Sequence, residues 1–152
     1  MQIISYLCNM NGTKQQPLVT FILTYYNQPV QLLCECIDSI LALSLRPFER
    51  EIIIVDDGSR VSPMNGLMQY GDEIIYVRQK NSGLSVARNK GIEMAQGIFL
   101  QFVDADDHLI QTAYEHCLDL IRQIFDADIT EEACFWAITE CTVHRTSVLC
   151  AD

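Results

Sequence analysis

Three carboxylates crowd into four residues at Asp104, Asp106 and Asp107, within the stretch FLQFVDADDHLI at 99–110. A second acidic pair, Asp56 and Asp57, precedes Gly58 and Ser59. Such crowding is costly unless positive charge sits beside it. Carboxylate oxygens are hard ligands that suit magnesium or manganese, and a site with one or two carboxylates completes its coordination with water and phosphate oxygens. The chemistry implied is a divalent ion holding a diphosphate. The basic residues are distributed to match: of ten Lys and Arg, four (Arg78, Lys80, Arg88 and Lys90) lie within 13 residues, and only Arg122 and Arg145 follow them. The segment RQKNSGLSVARNKG at 78–91 is therefore expected to form a cationic loop and helix start opposite the carboxylates, since helix N-termini favour phosphate.

These groups need elements to position them. LVTFILTYYN at 18–27 is a continuous β-branched and aromatic run, as expected of a strand covered on both faces. Pro29 opens a helix in which Val30, Leu33, Cys34, Ile37, Ile40 and Leu41 recur at spacings of three and four. EIIIVDD at 51–57 predicts a second strand, EIIYVRQ at 73–79 a third and GIFLQFVD at 97–104 a fourth. A short helix is expected before the third strand, and GLSVARNKGIEMA at 83–95 predicts the helix before the fourth. Strands alternating with helices favour a parallel, doubly wound α/β sheet. IQTAYEHCLDLIRQIF at 110–125 predicts a further helix, and strands are expected around 134–139 and 142–149.

In such a sheet ligands bind beyond the carboxyl ends of the strands. Three strands here end in polar groups: Thr24 to Asn27, Asp56 to Ser59, and Asp104 to Asp107. Each also has a structural use. The acidic pair can build a turn, and an aspartate can cap the next helix. Arg88 and Lys90 can be solvated helix residues. His108 can lie beside the site without taking part in it, and alternation along a strand predicts that one of Tyr25 and Tyr26 packs inward.

Composition bounds the function classes. A chain of 152 residues, 49% hydrophobic, is expected to bury one core as one domain. A net charge of -10 repels nucleic acid and anionic membrane surfaces on average. No apolar run reaches the roughly 20 residues of a membrane span, and the first residues lack the pattern of a signal peptide. The cytoplasm is the expected location, with association at the cytoplasmic face of the membrane left open. Seven cysteines without zinc spacing read as reduced thiols, most of them packing residues.

VTFILTYYNQPVQLLCECIDSIL, EIIIVDDGS, NSGLSVARNKGIEMAQG and FLQFVDADD follow one another in an order that resembles the nucleotide-sugar-binding half of family 2 glycosyltransferases with the GT-A fold. The likeness covers residues 17–129, including a DADI that resembles the start of the family's next strand. It implies that Thr24, Tyr26 and Asn27 line the nucleotide pocket, with Tyr26 against the base. Asp57 would hydrogen-bond the base and Asp56 would orient the adjoining loop. Asn81, Ser82 and Arg88 would approach the sugar and diphosphate. Asp104 would contact the ribose or the metal, and Asp106 would ligate the Mn2+ or Mg2+ ion. The implied reaction is inverting transfer from a nucleotide sugar, a UDP-sugar above all, to a glycan or lipid-linked acceptor hydroxyl.

This reading divides the chain into an extension at 1–16, the donor-binding domain at 17–129 and a tail at 130–152. The acceptor half of the family is expected to be missing, leaving Glu131 and Glu132 as weak candidates for the general base and apolar surface that favours a homodimer. A module that binds nucleotide without turnover is the main alternative. A response-regulator receiver fits less well, because its acidic pair follows the first strand and it needs a later lysine, whereas none follows Lys90. A haloacid-dehalogenase phosphatase would need Thr or Val where His108 stands.

Overall fold

The computed structural model of the chain describes residues 16–127 and 142–143. Its centre is a four-stranded, wholly parallel sheet made of β1 (Val19–Tyr25), β2 (Arg50–Asp56), β3 (Ile75–Arg78) and β4 (Phe99–Asp104). The order across the sheet is β3-β2-β1-β4, so the first strand is central and the chain winds outward in both directions. Every residue of β1 is buried, which is why its sequence is a continuous β-branched and aromatic run rather than an alternating one.

Two helices cover one face. α1 (Val30–Leu41) buries Leu33, Ile37 and Ile40 of the predicted stripe together with Cys36, which the spacing does not single out, while Val30, Cys34 and Leu41 are half-buried at its margin. Between β2 and β3 lie the short α2 (Met64–Leu67) and a 3-10 segment, Met68–Glu73. α3 (Leu84–Met94) precedes β4, and α4 (Gln111–Ala127) follows it. Phe21, Leu23, Ile52, Ile54 and Val103 from the strands join Leu33, Ile37 and Ile40 of α1 and Tyr114, Leu118 and Ile121 of α4 in one core. The Phe21 and Tyr114 rings meet at 5.7 Å in a tilted arrangement. Each fully buried aliphatic or aromatic side chain contributes about 1.5–3 kcal/mol, so this cluster supplies most of the driving force.

The opposite face is covered by α3 in a different way. Only Ala87 and Gly91 of this helix are buried, and Ala87 packs with Ile53 and Val55 of β2. Small residues let the helix backbone come close to the sheet: a Cβ built on Gly91 would stand 2.3 Å from Cγ2 of Ile22. This close approach fixes where the N-terminal end of α3 lies relative to the strand ends.

The elements follow the expected β-α-β order, with the parallel sheet as predicted. One difference is at the end of α4, which runs through Asp126 and Ala127, so the first half of DADI belongs to a helix; the rest lies outside the described residues. The strand expected around 134–139 is likewise outside them. Of the one expected at 142–149, Thr142–Val143 is described, pairing antiparallel as β6 with the two-residue β5 (His108–Leu109).

Replacing an exposed helical glycine by alanine normally stabilises a helix by about 1 kcal/mol. At Gly91 the sign should reverse, because the new methyl meets a buried β-branched side chain. Gly91→Ala is expected to lower stability by about 1–3 kcal/mol, read as a lower urea midpoint; an unchanged or higher midpoint would show that α3 does not lie this close to the sheet.

Candidate functional site

Parallel register determines which side chains share the carboxyl edge of the sheet. Thr24 of β1 stands opposite Asp104 of β4, and Tyr25 stands opposite Asp56 of β2. Beyond this edge opens a pocket of about 380 Å³. Thr24, Tyr25, Tyr26 and Gln28 line it from the end of β1, Asp57 from the end of β2, and Asn81, Gly83, Leu84 and Ala87 from the entry to α3. Asp104 and Asp106 complete the lining from the end of β4.

The β2 end is built on two buried carboxylates with separate tasks. Asp56 is fully buried; one oxygen accepts the Ser59 amide at 2.8 Å, and the other accepts the Tyr76 hydroxyl at 2.7 Å. Arg78, its register partner on β3, places Nε 3.6 Å from the same carboxylate and donates from Nη2 to the Ser59 carbonyl at 2.6 Å. Burial and this hydrogen bond to Asp56 push the Tyr76 hydroxyl pKa up, so it stays a donor. Ser59 in turn accepts the Asn27 amide at its Oγ, 3.0 Å away, and the Asn27 side chain accepts the Arg60 amide at 2.8 Å. Asn27 holds φ 57 to do this, a left-handed conformation that asparagine tolerates better than most residues.

Asp57 fastens the loop that leads into α3. Its Oδ1 accepts the Gln79 side-chain amide at 2.8 Å and the Ser82 amide at 2.9 Å, while Oδ2 accepts the Gly83 amide at 2.8 Å. Burial pushes this carboxyl pKa up, but the three hydrogen bonds outweigh it and hold the group below the usual carboxylate range. Gly58 lets the two loops touch. It has φ +79, and a Cβ there would come within 2.7 Å of the Asn81 nitrogen.

At the β4 end, Asp104 Oδ1 accepts Arg88 Nη2 at 3.1 Å and the Thr24 hydroxyl at 3.4 Å. Asp107 turns inward and is buried, whereas Asp104 and Asp106 are half-buried and face the pocket. The Cys36 sulfur of α1 lies under this turn, 3.9 Å from the Asp104 carbonyl. Burial, then the charges of Asp107, Asp104 and Asp106, push its thiol pKa far up. Cys34, Cys36 and Cys117 are all thiols.

The cationic loop expected opposite the carboxylates takes another form. Arg78 is committed to Asp56, Arg88 to Asp104 and Lys90 to Glu93, the last at 3.1 Å. Among the described residues no lysine or arginine lines the pocket. Among the described residues no three His, Cys, Asp or Glu side chains gather as an all-protein metal cage. Two pocket carboxylates, Asp104 and Asp106, do fit a Mg2+ or Mn2+ ion whose remaining ligands are phosphate oxygens and water.

Of the residues expected at the site, Thr24, Tyr26, Asp57, Asn81, Asp104 and Asp106 line the pocket. Asn27, Asp56, Ser82 and Arg88 do not; they hold the loops and carboxylates that do. Tyr25 is 4% exposed and donates to the Gln28 carbonyl at 2.7 Å, while Tyr26 is 47% exposed, the division that strand alternation predicts. His108 sits in β5 outside the lining, and Glu131 and Glu132 lie outside the described residues. Gln28, Leu84 and Gln79 carried no sequence signal, because neither a pocket wall nor a hydrogen bond across 22 residues has a local pattern.

Residues 20–133 match the family described as glycosyl transferase family 2. The glycosyltransferase YibD of Escherichia coli K12 is 35% identical over 108 residues, which are 69% of this chain and 30% of YibD. A crystal structure of S. aureus TarS, residues 1–349 with UDP-GlcNAc, superposes with a TM-score of 0.63 at 24% identity, over 69% of this chain and 31% of that one. The mannosyltransferase PcManGT of Pyrobaculum calidifontis, in complex with GDP-Man and Mn2+, gives 0.60 at 22% identity, covering 68% of this chain and 32% of its own. The chain thus spans about a third of the length of these relatives.

The Asp57 carboxyl has a lower pKa in the folded chain than in the unfolded one. Its contribution to stability is therefore fully present above the ordinary value near pH ~4 and is lost as pH falls through the folded value. Asp57→Asn is expected to cost about 1–3 kcal/mol at pH 7, because its amide turns a donor toward backbone donors. The same variant should lose stability less steeply than the wild type between pH 5 and pH 2, in urea titrations taken at each pH. Parallel acid profiles would show that Asp57 does not carry the loop's acid sensitivity.

Proposed function

This chain belongs to glycosyltransferase family 2, and from that premise we propose that it binds a nucleoside diphosphate sugar, with UDP as the preferred nucleotide, for inverting transfer of the sugar to an acceptor hydroxyl. The observation that carries this reading is the charge of the pocket. Three carboxylates line it and, among the described residues, no basic side chain does, so a diphosphate would enter together with a cation. That TarS is seen with UDP-GlcNAc, and PcManGT with GDP-Man and Mn2+, supports a donor of this class in a fold of this kind.

Each residue then has a task. The exposed Tyr26 ring offers a stacking face for the base, and Asp57 a buried acceptor for a base N–H. Asp104 takes a ribose hydroxyl or the metal, and Asp106 holds the metal. Asn81, at the mouth of α3, faces the sugar-diphosphate. When bound, a Mg2+ or Mn2+ ion neutralises the charge that develops on the diphosphate as the glycosidic bond breaks. One displacement inverts the anomeric carbon, and a carboxylate base outside this donor pocket takes the acceptor's proton.

Binding without turnover is the second reading, favoured by the pocket itself, in which each carboxylate already has a donor-side task. Both readings predict the same ligand. Titration calorimetry should show UDP binding that requires Mn2+, weaker binding of GDP, and a loss of about tenfold or more for Asp106→Ala. Absence of binding by either nucleotide in a folded chain would overturn the proposal, and release of UDP from a UDP-sugar would separate turnover from binding.

A further inference from the structure

Among the described residues Arg88 is the basic side chain that reaches the acidic turn, and it sits on a carboxylate rather than in the pocket lining. Its Nη2 donates to Asp104 Oδ1 at 3.1 Å, the oxygen that also takes the Thr24 hydroxyl. The guanidinium carbon lies 5.7 Å from the centre of the Phe102 ring, two residues earlier on the same strand. Its Nε is buried, and Arg88 is absent from the pocket lining that includes Asp104 and Asp106. The carboxylate and the ring are the contacts that place the guanidinium.

We infer that Arg88 is a positioning residue for Asp104: with Thr24 it pins Oδ1, leaves Oδ2 as the ligand oxygen, and offsets the repulsion between Asp104 and Asp106. Among the described residues Oδ2 takes no hydrogen bond from the protein, so pinning one oxygen settles which one remains for a ribose hydroxyl or a divalent ion. An arginine suits the task because its rigid fork holds one orientation of a carboxylate while its flat face rests on an aromatic ring. The inference rests on the nucleotide-binding reading for its consequence, although the contact itself does not.

A double-mutant cycle tests it. UDP binding in the presence of Mn2+ would be measured by calorimetry for Arg88→Met, Asp104→Ala and the pair together, with circular dichroism and urea midpoints to show that each is folded. Methionine keeps the aliphatic stem against Phe102 and removes the fork. Arg88→Met should weaken binding by about tenfold, Arg88→Lys should recover part of that, and the double variant should bind no worse than Asp104→Ala alone. Losses that multiply in the double variant would mean that Arg88 meets the ligand directly, and an Arg88→Met variant with wild-type affinity would mean that Asp104 needs no support; either result overturns the inference. If the wild-type chain binds neither UDP nor GDP, the nucleotide reading fails, and the positioning is read in the unliganded chain instead. There the carbon resonance of the Asp104 carboxyl should move on Arg88→Met while that of Asp57 stays, and an unmoved Asp104 signal overturns it.

Discussion

The parallel register of β1 with both neighbours is the constraint on which the site depends. A strand with its side chains buried on both faces cannot slide by one residue without turning its whole buried set over, so the apolar run of β1 fixes the level at which β2 and β4 end. Thr24 is thereby set beside Asp104, and Tyr25 beside Asp56. No loop has to find the other; the sheet delivers them to one edge.

From that edge, charge is handled in layers. The innermost carboxylate, Asp56, is spent on its own turn and matched by Arg78, and Asp57 is spent on the amides leading into α3. Of the outer pair, Asp104 is paired with Arg88, and among the described residues Asp106 has no ion pair. The protein therefore compensates Asp56, Asp57 and Asp104 from within, and Asp106 is the pocket carboxylate left without such compensation among the described residues. Among the described residues, the carboxylates facing the pocket thus outnumber the basic side chains beside it.

Much of this was legible in the sequence, for definite reasons. Buried parallel strands announce themselves as apolar runs, α1 as a stripe of which 33, 37 and 40 are buried, and the strand ends as clusters of aspartate. The parts that were not legible depend on conformation. Arg78 and Arg88 read as a basic cluster aimed at a ligand, but the register and the pitch of α3 turn them onto Asp56 and Asp104. Asn27 reads as a pocket residue, and its positive φ instead turns its side chain onto the Arg60 amide. α3 has no apolar stripe to find, since Ala87 and Gly91 pack through their smallness. DADI reads as a strand start, but the periodicity of α4 carries the helix past Ile121 through Ala127.

The buried thiol beneath the acidic turn has a consequence for chemical labelling. Alkylating reagents attack thiolates, and Cys36 is kept protonated by burial and by three neighbouring aspartates. Cys34, on the same helix, is half-buried. Cys36 is fully buried, so its modification waits on an opening of the packing around α1, and its rate of alkylation reports on that opening.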